Sequence, residues 1–204
     1  TSIDRQYGSA QLEINCAAAM IASGVHDVMI GGGVEHMGHI SFADSAKVMS
    51  EYGFAYSPAL LEKYDLVNQG ISAEMIADKW EIPKVDLDEL AVRSHARAQQ
   101  ATEEGRFERE IAPFQVNGDT YATDQGIRPG TNLEALAGLK PAFKEDGKIT
   151  AGNSSQVSDG AAAVLLMTRE KADELGLKAR ARIVDQTAVG VDQVIMLTGP
   201  IQAT

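Results

Sequence analysis

The sequence predicts an α/β fold in which a layer of strands and helices is interrupted by a longer α-rich insertion. Near the start, the stretch DRQYGSAQ leads into a helix of small residues and then into the apolar run DVMIGGG. A long polar and aromatic region follows from about Ser41, and a second apolar run, DGAAAVLLM, comes after it. Short apolar runs bounded by turn residues are typical of strands in α/β layers. We therefore expect a discontinuous α/β layer around an inserted domain.

Residues 9–23 are predicted to form a helix that is buried on nearly all sides. After Asn15 almost every residue is small or apolar, and a helix without a polar face is usually enclosed by its neighbours. Gly24 supplies the left-handed residue that ends such a helix. The DVMIGGG run that follows is predicted to be a strand covered on both faces.

The stretch DRQYGSAQ is predicted to be an elbow that joins a strand to this helix. Enzymes often place a nucleophile at such an elbow, because the unpaired N–H groups of the first helical turn favour negative charge there. Tyr7 occupies the junction in this chain. A phenol is almost entirely protonated at neutral pH and is a weak nucleophile. Tyr7 is therefore an unusual occupant of a candidate catalytic position.

The region 42–149 is predicted to be the insertion, with helices that carry one apolar stripe. One of them is expected to begin at a capping-box-like pair, Asp86 and Glu89, and to end at Gly105. The expected domains are thus the insertion and a discontinuous α/β layer, residues 1–41 and 150–204.

The α/β layer is expected to resume after the insertion. DGAAAVLLM is predicted to be a buried strand. Thr168 is expected to cap the next helix and Gly176 to end it, and ARARIVDQTAVGV is expected to return to a strand.

The charge balance and the apolar runs exclude several classes of partner. The 204 residues include 18 Lys and Arg against 29 Asp and Glu, a net charge of −11, and there is no basic run. This argues against nucleic acid or an anionic membrane as the main partner. No apolar run approaches the ~20 residues that span a bilayer, and we expect a cytoplasmic protein. The chain lacks an initiating Met, so we also expect it to be a piece of something longer.

Cys16 is the single cysteine, which excludes an internal disulfide and a cysteine-based zinc site. It follows Tyr7 by about two and a half helical turns, so it would lie about 13 Å deeper along the helix and out of phase with the elbow. It cannot replace the elbow residue. We expect it to be buried by packing.

The stretch GGGVEHMG at 31–38 invites a nucleotide-loop or metal-site interpretation. Its glycines do not match the dinucleotide-binding spacing, and no Gly-Lys-Ser/Thr follows. Glu35, His36 and His39 lack a partner at helical spacing, so a hydrogen-bonded polar turn is favoured over a metal site. The glycines are expected to form a strand-end turn where backbones approach closely. We expect no metal and no tightly bound cofactor.

Two further segments offer groups that could bind a ligand. The loop TAGNSSQVSDGAAA at 150–163 combines hydroxyls, an amide and backbone N–H groups, which suit a carbonyl or an amide chain. The segment 126–147 contains Arg128, Lys140 and Lys144 with Phe143 among them, a plausible anion contact beside an apolar platform. On spacing alone, a plain polar turn is an equally open interpretation of the loop, and solvated surface charge is the commoner explanation of the segment 126–147.

Motifs along nearly the whole chain occur in a definite order. They are DRQYGSAQ with the Ala-rich helix, DVMIGGGVEHM, ISAEMIADKW, DELAVRSHARAQQA, GRFEREIAPF, RPGTNLEALAGLKPAFKEDGKITAGNSSQVSDGAAAVLLM and VGVDQVIMLTGPIQAT. Together they resemble the thiolase family, the acetyl-CoA acyltransferases. In a thiolase, two similar α/β halves stack in five layers, and a loop domain inserted in the first half covers the coenzyme. The resemblance implies that 1–41 and 150–204 form part of the first half and that 42–149 is the loop domain.

The resemblance also implies a cysteine where this chain has Tyr7, because thiolases carry DRQC at the elbow. The thiolate takes the acyl group, and a thiol ionises far more readily than a phenol. The activating histidine, an oxyanion-hole segment and a second cysteine come from the second half of the family's fold and are not placed within these residues. We therefore expect the chain as written to be catalytically inactive.

Three explanations for Tyr7 stay open. Cysteine and tyrosine codons differ by one base, so a deliberate or accidental substitution is one of them. A natural family member that binds acyl-CoA or a partner without thiolysis is another. The third is a working Tyr7 nucleophile, which would need an ionised phenol and would form an aryl ester.

For coenzyme A, the resemblance implies a set of contact residues, all outside the elbow. Arg128 would contact the nucleotide, Phe143 would lie beside the adenine or pantetheine, and Ala151 with Ser155 would contact the pantetheine arm. Leu60 falls where the loop domain closes over the same arm. Asn68, Gln69 and Ala135 depart from the residues common in the family.

The expected function is therefore acyl transfer between coenzyme A and carbon, as thiolysis of 3-oxoacyl-CoA or condensation of acetyl-CoA in fatty-acid or related metabolism. Acyl-CoA is the expected partner and substrate. The resemblance implies a homo-oligomer, a dimer or a tetramer. The alternative is a non-catalytic acyl-CoA-binding or scaffolding subunit.

Overall fold

The computed structural model describes residues 1–204, except for the side chains of residues 42, 43, 45 and 46. The α-helices are α1 Ser9–Ala22, α2 Phe42–Tyr52, α3 Pro58–Lys63, α4 Gln69–Lys79, α5 Lys84–Glu103, α6 Leu133–Ala137, α7 Arg169–Glu174 and α8 Gly199–Ala203, with a 3-10 helix at Met196–Thr198. The strands are β1 Val28–Glu35, β2 Phe114–Val116, β3 Asp119–Tyr121 and β4 Gly160–Met167.

The chain divides into two compact units, and each is described by itself. The first, called here the sheet unit, consists mainly of Thr1–Ser57 and Val157–Val189. The second, called here the helical unit, consists mainly of Pro58–Gln156 and Gly190–Gln202. The domain boundaries expected from the sequence, at 41/42 and 149/150, stay a prediction.

The sheet unit is built on an antiparallel pair of strands, β1 and β4. Val28 lies opposite Met167 at one end, and Glu35 lies opposite Gly160 at the other. The C-terminal end of β1 therefore lies beside the start of β4. Helix α1 packs on this pair, and Ala17, Ile21 and Leu166 form the buried cluster between them.

The glycine run of β1 lets α1 lie close to the sheet. A Cβ added at Gly33 would lie 2.9 Å from Cβ of Ala10, and one added at Gly31 would lie 3.1 Å from Cα of Ile14. The expected close approach is confirmed. The expected strand-end turn is wrong, because pairing with β4 continues through Gly31–Gly33 to Glu35.

The burial expected for these elements is wrong. Of α1 only Ala17 and Ile21 are buried, and Met20 is 37% exposed. The predictions that β1 and β4 are buried strands fail in the same way, since Ile30 is 68% and Leu165 is 55% exposed. Successive strand residues face opposite sides of a sheet, and α1 covers the side that carries Met29 and Leu166.

Two expected strands are also absent from the part of the chain that the structure describes. The residues before Tyr7 and the stretch 179–191 belong to no strand. An extended segment becomes a strand only when a neighbouring strand takes up its backbone hydrogen bonds. Composition alone does not reveal whether that neighbour exists.

Several helix ends follow local chemistry. Gly24, Gly105 and Gly176 have φ values of 74°, 70° and 65° and end their helices as predicted. The hydroxyl of Thr168 accepts a hydrogen bond from the backbone N–H of Lys171, which confirms the predicted cap of α7.

Helix α5 begins earlier than predicted. It starts at Lys84 with Pro83 at the N-cap, and no side chain caps it. The expected capping-box start at Asp86 is therefore wrong. Pro83 suits the entry to the helix because it has no N–H and its φ is fixed. Asp86 lies in the first turn, where a negative charge interacts favourably with the helix dipole.

Candidate functional site

A tight turn is present at the start of α1, where the sequence predicts the elbow, although no strand among the described residues leads into it. Tyr7 has φ 63°, in the left-handed backbone region that residues other than glycine rarely adopt. The backbone N–H of Gly8 donates to the carbonyl of Arg5 at 2.7 Å, and the N–H of Arg5 donates to Oγ of Ser9 at 2.8 Å. These bonds close a tight turn directly before the helix.

The turn presents the side chain of residue 7 at the N-terminal end of α1. Gly8 is the N-cap and supplies no side-chain cap. The N–H of Leu12 bonds the carbonyl of Gly8, so the N–H groups before it have no intrahelical acceptor. Tyr7 is 82% exposed. This geometry would favour negative charge near residue 7, but a phenol supplies less of it than a thiol does.

The expectation for Cys16 is wrong. The thiol is exposed rather than buried. Cys16 lies on α1, and the sheet covers only the face of that helix that carries Ala17 and Ile21. It is therefore an accessible thiol to be considered in any experiment on the elbow.

The polar turn after β1 is confirmed as hydrogen-bonded. Oδ1 of Asp159 accepts the backbone N–H of Gly38 at 2.7 Å, and Oδ2 lies 3.6 Å from Nε2 of His36. The rings of His36 and His39 stack with their centroids 5.3 Å apart. Among the described residues, no group of three or more His, Cys, Asp or Glu side chains could hold a metal ion.

The residues implied for coenzyme A all lie in the helical unit, whereas Tyr7 lies in the sheet unit. Leu60 is half-buried on α3. The others have exposed side chains, and Phe143 is 43% exposed. They are Arg128, Phe143, Ala151 and Ser155.

The segment that carries Phe143 is held against α4. The ring of Phe143 occupies the space that a Cβ on Gly70 would need. Oε2 of Glu74 accepts the N–H of Lys148 at 2.9 Å, and Oε1 accepts the N–H of Ile149 at 2.7 Å. Glu74 is only 1% exposed. Sequence reasoning missed this carboxylate.

An ion-pair cluster extends the same contact. Asp78 pairs with Lys144 and with Lys148, each at 3.0 Å. The hydrogen bonds from Lys148 and Lys144 lower the pKa of Asp78, and Asp78 in turn raises the pKa of Lys144. Of the three basic residues predicted as an anion contact, Lys144 is thus already paired, while Arg128 and Lys140 have exposed side chains.

A second buried carboxylate holds the loop that follows. Asp88, 3% exposed, accepts hydrogen bonds from Nζ of Lys84 and from Nδ2 of Asn153. Oδ1 of Asn153 accepts the N–H of Thr150 at 2.8 Å, and the hydroxyl of Ser154 donates to the carbonyl of Thr150. Much of the polar chemistry predicted for this loop is therefore used to shape the loop.

One sequence signal could have revealed Glu74. Gly70, Glu74 and Ala77 recur at helical spacing on one side of α4, and all three are buried. A carboxylate within a row of small buried residues needs nearby hydrogen-bond donors. The sequence could not say that these donors come from 148 and 149.

No helix in the described part of the chain is both long and apolar enough to cross a membrane.

Comparison with known proteins identifies the family. Residues 1–170 match the thiolase N-terminal domain. The chain is 40% identical over 212 aligned residues to a 3-ketoacyl-CoA thiolase of Marinobacter nauticus, with 100% of this chain and 52% of that protein covered. It thus spans about half the length of the curated relatives that it matches.

Solved structures give the same result. The dimeric peroxisomal thiolase of Saccharomyces cerevisiae matches with a TM-score of 0.84 and 37% identity, over 97% of this chain and 51% of that one. The acetyl-CoA acetyltransferase of Bacillus anthracis matches with a TM-score of 0.78 and 35% identity, over 98% and 54%. The match to the thiolase N-terminal domain and the similarity to these solved structures agree, and the chain belongs to the thiolase family.

Proposed function

We propose that this chain is the N-terminal part of a 3-ketoacyl-CoA thiolase-type acyltransferase, and that with tyrosine at position 7 it does not transfer acyl groups. The observation that carries the proposal is Tyr7, which has φ 63° at the start of α1, where the resemblance implies the nucleophilic cysteine. The name of the Marinobacter relative, a 3-ketoacyl-CoA thiolase, supports the activity class.

The chemistry proposed for the elbow depends on a thiol. With cysteine at position 7, the sulfur would bond to the thioester carbonyl carbon of acetyl-CoA, the bond from that carbon to the coenzyme sulfur would break, and the proton would pass to coenzyme A. The products are an acetylated chain and free coenzyme A. The N–H groups at the start of α1 would favour the thiolate that attacks.

The proposed coenzyme contacts are Leu60, Arg128, Phe143, Ala151 and Ser155. The exposed guanidinium of Arg128 suits a phosphate, and the half-exposed ring of Phe143 offers an apolar platform for a base or for the pantetheine arm. The hydroxyl of Ser155 and the small side chain of Ala151 would line the same arm. Coenzyme A is a substrate in this proposal, with no tightly bound cofactor besides it.

We also place the protein in the cytoplasm and expect it to be a homo-oligomer. The second expectation is supported by the yeast relative, which is described as dimeric.

The experiment compares four forms of the chain: wild type, Tyr7→Cys, Cys16→Ser and the double variant. Each is titrated with coenzyme A by calorimetry, then incubated with acetyl-CoA and examined by intact-mass spectrometry. Cys16→Ser is the needed control, because Cys16 is exposed and could be acylated in its own right.

An acetyl adduct on the double variant, with none on Cys16→Ser alone, would support the elbow as the acyl-acceptor position. Coenzyme binding without any adduct on the double variant would contradict the acyl-acceptor role. No coenzyme binding by any form would contradict the coenzyme site.

A second candidate function is favoured by the same residue. A natural subunit that binds acyl-CoA without thiolysis would have no need of a thiol, and Tyr7 carries a phenol instead. Coenzyme binding by the wild type, together with Tyr7 in the native genomic sequence, would favour this alternative.

A further inference from the structure

One face of α4 holds the segment that contains most of the proposed coenzyme contacts. Gly70, Glu74 and Asp78 are spaced four residues apart, which places them in one row along the helix. The segment they contact, residues 143–149, continues directly into Ala151 and Ser155. We call residues 143–155 the anchored segment.

Glu74 makes the most constraining of these contacts. Each of its carboxylate oxygens accepts one backbone N–H, from Lys148 at 2.9 Å and from Ile149 at 2.7 Å. The group is 1% exposed, so water cannot readily replace either donor. A buried carboxylate without donors is strongly unfavourable, and with two it is held in one orientation. Two successive residues of the anchored segment are therefore bound at one point.

Gly147 leaves room for this contact. A Cβ added there would run into Oε1 of Glu74. The carboxylate can approach the backbone closely only because residue 147 has no side chain. The same contact can therefore be disturbed from either partner, by changing Glu74 or by adding a methyl group at Gly147.

The far end of the anchored segment is bound separately. Nδ2 of Asn153 donates to Oδ1 of Asp88 at 2.9 Å and to the carbonyl of Lys148 at 3.0 Å. Ala151 therefore lies between two bound points, Ile149 on one side and Asn153 on the other. A backbone bound on both sides of a short stretch has few conformations left to lose when a ligand binds.

We propose that Glu74 is a positioning residue for coenzyme A. It does not touch the coenzyme. Its carboxylate holds the backbone at 148 and 149, and through it the arrangement of Phe143, Ala151 and Ser155. The inference rests on the proposed function, since it assumes that these residues form the coenzyme site. Glu74 thereby raises the affinity for coenzyme A, because no binding free energy is lost in ordering a segment that is already ordered.

The primary variant is Glu74→Gln in the full chain. An amide retains the volume but offers a single oxygen and places an NH2 group against the second N–H donor. If the anchored segment then occupies its binding arrangement only about a tenth of the time, the Kd for coenzyme A rises about tenfold. Hydrogen exchange at the amides of Lys148 and Ile149 should also become faster.

Two further variants separate positioning from general stability. Gly147→Ala disturbs the contact while leaving the carboxylate in place, and Glu74→Asp shortens the carboxylate side chain by one methylene. We expect Gly147→Ala to weaken coenzyme binding, and Glu74→Asp combined with it to recover the part of the loss that comes from the contact with the Glu74 carboxylate. The rest should remain, because the added methyl group would also lie 2.9 Å from the backbone oxygen of Lys144. A residue with a merely structural role would not show this recovery of coenzyme affinity.

Two control variants complete the set. Glu89→Gln makes the same chemical change at an exposed position of α5 and should leave binding unchanged. Gly105→Ala strains the end of α5 at φ 70° and lowers stability elsewhere in the helical unit. If it leaves coenzyme affinity unchanged, loss of stability by itself does not explain the effect of Glu74→Gln.

The outcomes separate this inference from the proposed function. If wild type binds coenzyme A and Glu74→Gln binds it equally well, the positioning role is wrong and the coenzyme site stands. If Gly105→Ala weakens binding as much as Glu74→Gln does, the positioning role is also wrong. If wild type does not bind coenzyme A, both proposals are wrong. The inference is supported if Glu74→Gln and Gly147→Ala bind coenzyme A more weakly than wild type while Glu89→Gln and Gly105→Ala bind it as wild type does.

Discussion

Nδ2 of Asn153 donates a hydrogen bond of 2.9 Å to Oδ1 of Asp88, across 65 residues of sequence. The other carboxylate oxygen of Asp88 accepts a hydrogen bond of 2.5 Å from Nζ of Lys84. Asp88 is 3% exposed, so both carboxylate oxygens are used within the protein. This pair joins α5 to the loop that carries Ser155, and it makes the stability of the helical unit depend on one buried charge.

Replacing Asp88 with Ala should therefore destabilise the chain. Breaking a buried ion pair typically costs about 3–5 kcal/mol. The side chain of Lys84 is 27% exposed, so its ammonium can be partly rehydrated. We therefore expect the free energy of unfolding to fall by roughly 2–3 kcal/mol. Urea unfolding measures the loss. Glu89→Ala, a change at an exposed position of the same helix, should stay within about 0.5 kcal/mol of wild type, and equal effects of the two variants would contradict this prediction.

The backbone at Tyr7 should be strained. A residue other than glycine in the left-handed region costs roughly 1 kcal/mol or more, and Tyr7 has φ 63°. Its side chain is 82% exposed, so truncation should remove little packing. We expect Tyr7→Gly to be more stable than Tyr7→Ala by roughly 1 kcal/mol. Thermal and urea unfolding of the two variants measure the difference, and a Tyr7→Ala chain as stable as Tyr7→Gly would show that the elbow is relaxed.

Gly70 should resist a change that usually stabilises a helix. Gly70 is the second residue of α4, and replacing Gly with Ala within a helix normally gains at most about 0.5–1 kcal/mol. Here the new methyl group would meet the ring of Phe143, so we expect a net loss of about 1–3 kcal/mol, the usual cost of overpacking. The double variant Gly70→Ala with Phe143→Ala is the control. Its cost should be clearly less than the sum of the two single changes, and strict additivity in urea unfolding would contradict the contact.

The Asp78 cluster should make stability depend on pH in the acid range. Hydrogen bonds from Lys148 and Lys144 lower the pKa of Asp78 below its ordinary value of 3.8. Folding therefore favours the charged carboxylate, and the stabilisation is fully present above 3.8 and lost as the pH falls through the folded pKa.

Asp78→Asn provides the comparison for this titration. Wild type should be more stable than the variant at neutral pH, and the difference should shrink as the pH is lowered below the ordinary value of 3.8. Because Asp78 is 51% exposed, added salt should shrink the difference as well. A difference that does not change with pH would mean that the carboxylate does not titrate as described.

The features that could be predicted from the sequence are those set by a few neighbouring residues. Gly24, Gly105 and Gly176 end their helices because glycine adopts positive φ without steric cost. Thr168 caps α7 because its hydroxyl reaches an N–H three residues on. The elbow and the family motifs belong to the same kind of local pattern, which is why the fold class could be recognised from them.

Burial and long-range pairing depended on the tertiary structure. Cys16, Ile30 and Leu165 are apolar or weakly polar, yet they are exposed because α1 and the sheet cover each other on one face only. The backbone donors of Glu74 come from residues 74 and 75 positions later in the chain. A carboxylate's partners at that separation are determined by how the chain folds back on itself, and neighbouring residues in the sequence carry no information about them.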